Sequence, residues 1–139
     1  MNLGEVMTAE LVTCSPNDTV SQAAQKLQRE NVGSCPVVDD GTLVGILTDR
    51  DITTRAVAKG YDVNSKTVGD IMTRDPITAD PSMSLEDACL LMSDNQIRRL
   101  PIVEDNRLVG IISLADLAMD VEEEEIVAET LTSISQPAM

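Results

Sequence analysis

The chain has 139 residues, 24 acidic against 10 basic side chains for a net charge of −14, three cysteines, one Tyr, and no His, Trp or Phe. A chain this long buries about two thirds of the surface its unfolded form exposes, so it folds without a disulfide or metal staple, and 42% hydrophobic residues in periodic order exclude a disordered polyanion. Without histidine there is no imidazole for general acid–base work near neutrality and no Cys/His zinc site, which argues against most hydrolase chemistry; no residue set pairs a nucleophile with a base, which argues against an enzyme, and the acidic balance argues against a nucleic-acid partner.

The opening MNLGEVMTAELV has no basic stretch followed by an apolar run, and nowhere do eighteen apolar residues run together. A cytoplasmic protein without a membrane partner is expected. Leu11 to Thr13 predicts a short extended segment leading through Pro16 to a helix. Thr19 with Gln22 forms a capping-box start, and Val20, Ala23, Ala24 and Leu27 share one apolar face. Two aliphatic strands follow, Cys35 to Val38 and Leu43 to Leu47, joined as a hairpin by Asp39-Asp40-Gly41, with a second helix from near Thr48. Ala56 to Lys66 reads as a loop and Thr67 to Met72 as a short helix.

From here the chain repeats itself. At an offset of 65, Val6 to Ile52 lies on Ile71 to Leu117 without a gap, and more than a quarter of the 47 pairs are identical, including Met7/Met72, Thr8/Thr73, Pro36/Pro101, Gly45/Gly110 and Asp51/Asp116. Unrelated segments would share only about three. The second copy has Ile77-Thr78 as its extended segment, Pro81, Ser84 with Asp87 at a helix start, and Leu85, Ala88, Leu91 and Met92 on the apolar face. Its strands are Leu100 to Val103 and Leu108 to Ile112, its turn Glu104-Asp105-Asn106, and its last helix starts near Ser113. That helix is expected to continue through Leu117, Met119 and Val121 into Glu122 to Glu125, with six acids between Asp120 and Glu129, as a solvated acidic end or, alternatively, a partner-binding acidic tail. Thr132 to Met139 is read as a loose end or dimer arm.

One copy cannot close a core, whereas two packed sheet to sheet can. The expected organisation is repeat 1 at 6–59, a linker at 60–70, repeat 2 with its acidic helical extension at 71–130, and a tail at 131–139.

GILTDRD, Gly45 to Asp51, is echoed by GIISLAD, Gly110 to Asp116. In each, a hydroxyl residue stands where a strand ends and a helix begins, where free N–H groups and the helix dipole favour an anion. An Asp three residues later can accept bonds from two ribose hydroxyls. The pattern suits a phosphorylated nucleoside, and it also fits an ordinary helix cap. The copies differ before the first strand: Ile97-Arg98-Arg99-Leu100-Pro101 stands opposite Val32-Gly33-Ser34-Cys35-Pro36. Arg98 and Arg99 are phosphate-binding candidates or ion-pair partners of nearby acids, and Arg50 is a further candidate or a solvated helix position. Cys35 aligns with Leu100, Cys89 with Ala24 and Cys14 with Ala79, so the thiols read as small hydrophobes; a Cys14 to Cys35 bridge stays open, and no metal site is expected.

These motifs resemble the paired cystathionine β-synthase (CBS) domains, or Bateman module. The resemblance rests on VMT-x3-VT-x2-P, the Pro-containing strand with its acidic turn, LVG-aliphatic-aliphatic-[Thr/Ser]-x-x-Asp and IRRLPIV, and its spacing is similar to that of stand-alone prokaryotic pairs. It implies an α/β (α+β) fold of two pseudo-symmetric β-α-β-β-α repeats in a disc with two clefts, commonly binding AMP, ADP, ATP, S-adenosylmethionine or NAD-type ligands. Carried over, Thr48 and Asp51 serve one cleft and Ser113 and Asp116 the other, hydroxyls toward phosphate and Asp toward ribose. Ile46 and Ile111 flank the adenine, and backbone of Ala9 to Leu11 and Arg74 to Pro76 lies at its edge. Arg98 and Arg99 match a phosphate-reading pattern, with Gly33 and Ser34 at the corresponding place in the other copy. The expected function is a non-catalytic, energy-sensing regulatory module that requires no cofactor, forms a homodimer and signals to an unidentified protein partner. The rival is a CBS-fold structural or stress-response interaction protein with empty clefts.

Overall fold

The computed structural model describes residues 2–9, 11–114 and 134. In chain order the elements are α1 (Leu3–Val6), α2 (Val20–Glu30), β1 (Ser34–Asp39), β2 (Thr42–Thr48), α3 (Asp49–Asp51), a π-helical segment (Ile52–Val57), α4 (Val68–Ile71), β3 (Thr73–Arg74), α5 (Leu85–Asn95), β4 (Arg99–Glu104) and β5 (Arg107–Ser113). They form two compact units, Val12–Pro76 and Met1–Leu11 together with Ile77–Met139. The units do not follow the sequence repeat. The stretch read as a linker ends inside α4, and Val68, Ile71 and Met72 are buried with the first copy. α1 likewise belongs with the second copy, where Leu3 is buried and its N–H donates to the Met83 carbonyl at 2.9 Å.

In the unit spanning 12–76, Thr19 Oγ1 accepts the Gln22 N–H at 3.1 Å while Gln22 Oε1 accepts the Thr19 N–H at 2.9 Å, so two N-terminal donors of α2 are satisfied reciprocally. The helix stops at Asn31, which takes the left-handed conformation at φ 54° and donates its N–H to the Leu27 and Gln28 carbonyls. Val20, Ala23 and Leu27 face Cys35, Val37 and Leu47 of the hairpin, with Ala56, Val68 and Ile71 closing the core. Each such aliphatic side chain, fully buried, stabilises the fold by about 1.5–3 kcal/mol.

The hairpin turn uses positive φ at Asp40 (50°) and Gly41 (84°), the geometry whose twist matches the flanking strands. Asp105 (52°) and Asn106 (66°) repeat it in the other unit. Both hairpins shift register at the same place, between Val37 and Val38 and between Ile102 and Val103. The extended segments expected at Leu11 to Thr13 and Ile77-Thr78 shrink to single contacts one residue further on, Cys14 beside Val37 and Ala79 beside Ile102. Pro16 and Pro81 offer no N–H for a longer ladder.

In the other unit, Ser84 Oγ accepts the Asp87 N–H at 3.1 Å without a reciprocal bond. Leu85, Ala88, Cys89 and Met92 of α5 pack on Leu100, Ile102 and Ile112, and Leu91 is only partly buried. Ile134 is buried in this core. The continuation past Asp116, the acids of 120–129 and the rest of 132–139 lie outside the described residues.

Candidate functional site

β2 runs into α3 at Thr48, and the helix start satisfies itself. Thr48 Oγ1 accepts the Asp51 N–H and Asp51 Oδ2 accepts the Thr48 N–H, both at 3.0 Å. The signature is therefore a capping box as well as a polar cluster. What turns the cap into a cluster is the chain that follows α4. β3 pairs antiparallel with β2, Arg74 opposite Gly45 and Thr73 opposite Ile46. A Cβ on Gly45 would lie 2.8 Å from the Thr73 carbonyl oxygen and 2.7 Å from Met72 Sδ. Glycine is what lets the Met-Thr segment come this close.

The Thr73 hydroxyl donates to Asp51, 3.4 Å from each carboxylate oxygen. Arg55 Nη1 stands 3.8 Å from Asp51 Oδ1 and donates to the carbonyls of Ile71 and Met72 at 3.2 Å each, which anchors it at the end of α4. Asp51 is 7% exposed, the one buried charged side chain among the described residues. Arg55 sits on the π-helical segment, whose wider turn shows in the Ala58 N–H reaching the Thr53 carbonyl at 2.9 Å. Neither Arg55 nor Thr73 was among the residues expected from sequence. Thr73 carries a usable signal, its identity with Thr8; Arg55 has none, because its counterpart at the offset of 65 is Asp120.

The other expected residues of this unit divide between two places. Ile46, half-buried, lies beside Thr73, and Ser34 faces Thr48 across the hairpin. Gly33 accepts the Asp49 N–H at 2.9 Å and lines a groove of about 540 Å³ together with Leu27, Asn31, Val32, Asp49 and Ile52. Thr48 and Asp51 do not line that groove, so Gly33 stands apart from the carboxylate cluster. Arg50 is exposed at the first turn of α3, its backbone N–H on Asp49 Oδ1 at 2.8 Å.

The unit of the second copy repeats the backbone arrangement. Thr8 and Ile111 exchange N–H···O bonds at 2.9 and 3.1 Å, and Met7 covers Gly110 as Met72 covers Gly45. Arg99 faces Ser113 across its hairpin, and the Arg98 carbonyl accepts the Leu114 N–H at 3.1 Å. Both arginines are exposed, and among the described residues neither guanidinium has an ion-pair partner, so the expected alternative of pairing with acids is not seen there. Asp116 lies outside the described residues. Among those residues no cluster of three or more Cys, Asp or Glu could hold a metal, and no helix is long and apolar enough to cross a membrane.

The family model for the CBS domain matches this chain twice, at residues 3–57 and 68–123. The CBS domain-containing protein YhcV of Bacillus subtilis is 47% identical over 131 residues, covering 94% of this chain and 93% of that protein. Among solved structures, CBSX2 in complex with AMP superposes with a TM-score of 0.76 at 32% identity, covering 89% of this chain and 98% of that one. The CBS domain pair of MJ0100, in complex with 5′-methylthioadenosine and S-adenosylmethionine, gives 0.73 at 33% identity over 86% of this chain and 94% of that one. With an α/β fold built twice on the same hairpin and Met-Thr segment, the chain belongs to the CBS domain family as a tandem pair.

Proposed function

We propose that the chain is a non-catalytic regulatory module that binds an adenosine-containing small molecule of the AMP, ADP, ATP, S-adenosylmethionine or NAD type. The observation that carries this reading is the juxtaposition made in both units, a hydroxyl at a strand end beside the Met-Thr segment, with the Asp of the signature closing it where it is described. The adenosine ligands of CBSX2 and MJ0100 support it. In the unit spanning 12–76, Ile46 flanks the base and Asp51 accepts the ribose hydroxyls. Its carboxylate keeps acceptor capacity after the Thr48 and Thr73 bonds, because the Arg55 contact at 3.8 Å is loose and Arg55 is half exposed. A ribose that takes this position releases Arg55 toward the phosphate, alongside Arg50 and the Thr48 hydroxyl. In the other unit, Ile111, Ser113 and Asp116 take the equivalent parts and Arg98 and Arg99 read the phosphate. The charge of −14 opposes an anionic ligand only at long range, where salt screens it over about 8 Å, while paired guanidinium bonds act at contact.

Melting curves with each ligand test the proposal. A hundredfold excess over the dissociation constant should stabilise the fold by about 2.7 kcal/mol, a rise of several degrees. Flat curves throughout would favour the second reading, a ligand-free interaction protein, which the prior engagement of Asp51 with Thr48, Thr73 and Arg55 supports. The bound state would pass to a protein partner through helices with exposed apolar side chains. These carry exposed Leu90 (57%) and Val57 (61%), on which we also base a homodimer. Light scattering should give twice the chain mass of 15.0 kDa; a single chain mass would contradict the dimer.

A further inference from the structure

Cys14 and Cys35 are 2% and 0% exposed, and their sulfurs stand 3.0 Å apart. The contact is set by the backbone. The Cys14 N–H donates to the Pro36 carbonyl at 2.9 Å and the Val38 N–H to the Cys14 carbonyl at 2.8 Å, so residue 14 is pinned along β1. Cys35 lies two residues from Val37, the neighbour of Cys14 in that ladder, and so on the same face.

The other unit builds the same ladder without sulfur. Ala79 donates to the Pro101 carbonyl at 3.0 Å and accepts the Val103 N–H at 2.8 Å, and Ala79 and Leu100 are buried at the places of Cys14 and Cys35. The fold at this point therefore needs apolar volume and not thiols. The two sulfurs also differ in acidity. The hydrogen bond between the two sulfurs holds the Cys14 thiol below its ordinary value against its burial, helped by Lys26, whose ammonium is fixed 2.6 Å from the Thr13 carbonyl. The same hydrogen bond and burial push Cys35 up.

We propose that Cys14 and Cys35 form a buried redox pair, closed to an intramolecular disulfide by hydrogen peroxide and reopened by a thiol reductant. The Cys14 thiolate attacks one peroxide oxygen; an S–O bond forms, the O–O bond breaks, and hydroxide leaves to take up the proton that Cys14 gave up. The Cys35 sulfur then displaces the sulfenic hydroxyl, the S–S bond forms, and the Cys35 proton leaves with that hydroxyl as water. Two thiols lose two electrons and one peroxide becomes two waters. Closing the bond needs an approach of about 1 Å. This inference stands independently of the nucleotide reading.

The test treats the folded chain with hydrogen peroxide, alkylates in denaturant and maps tryptic peptides by mass. The expected result is loss of two of the three thiols together, a mass lower by two hydrogens, and a linked pair of peptides, Met1 to Lys26 with Glu30 to Arg50. Dithiothreitol should restore both thiols. Cys89→Ser should leave the linkage unchanged, while Cys14→Ser and Cys35→Ser should each abolish it. Should Cys89→Ser fail to fold, the wild-type peptide map still identifies the pair. Three surviving thiols, linkage through Cys89, or sulfinic acid without linked peptides would overturn the proposal.

Discussion

In the unit spanning 12–76 the cations stand on the helix side of the candidate site, Arg50 on α3 and Arg55 on the π-helical segment, while the strand side has Gly33 and Ser34. In the other unit the strand side has Arg98 and Arg99, and the positions matching Asp49, Arg50 and Arg55 are Leu114, Ala115 and Asp120. The backbone beneath these charges is the same: a capped helix, a hairpin with two positive-φ residues, a bulge at one place and a Met-Thr segment over a glycine. Duplication has kept the residues that fix backbone approach and hydrogen bonding. Of the charges that would read a ligand, Arg50, Arg98 and Arg99 sit on exposed positions where a substitution costs little stability, whereas Arg55 is tied to the Ile71 and Met72 carbonyls.

The largest effects are expected at the shared glycines. Gly45→Ala sets a methyl 2.8 Å from the Thr73 backbone carbonyl, while Gly110→Ala presses on the Met7 side chain, which can give way more readily, so the Gly45 variant should lose the more. Each should cost about 1–3 kcal/mol in urea unfolding, with Gly45→Ala also disturbing the β2–β3 pairing. A smaller effect distinguishes the helix caps. Thr19→Ala removes one half of a reciprocal box and Ser84→Ala a single bond, so both should lose about 1 kcal/mol in thermal unfolding, the former the more.

The smallest expected effect is in the pH dependence, to which each unit contributes one carboxylate. The backbone N–H and hydroxyl of Thr67 lower the pKa of Asp70, and the hydroxyl and N–H of Ser82 lower that of Asp80. A carboxyl held below its unfolded value, near 3.9 for Asp, contributes stability that is fully present above that value and lost as pH falls through the folded one. Melting temperature should therefore drop below about pH 4, and Ser82→Ala should flatten part of that drop.

Much of this architecture was legible because it is local. Thr19 and Gln22 are three residues apart, Asp40-Gly41 sits between two aliphatic runs, and the offset of 65 pairs Gly45 with Gly110. The unit boundaries were not legible, since periodicity places α4 before the second copy and cannot say that Val68, Ile71 and Met72 are buried with the first. Arg55 was missed for a related reason: its approach to Asp51 depends on a π-helical turn and on carbonyls at 71 and 72, and neither leaves a pattern in the chain. Asp51 was found, but its part in the helix cap and its contact with Thr73 emerge only once β3 lies on β2.

We propose that the module reads an adenosine ligand and that the second unit reads its phosphate from the strand side. The most direct measurement is calorimetric titration of AMP and of adenosine into the wild type and the Arg98→Ala/Arg99→Ala double variant, with circular dichroism confirming the fold of each. The account predicts that the variant weakens AMP far more than adenosine, because only AMP offers charge-assisted bonds, each worth about 1.5–3 kcal/mol. Equal weakening of both ligands, or no change in either, would contradict it.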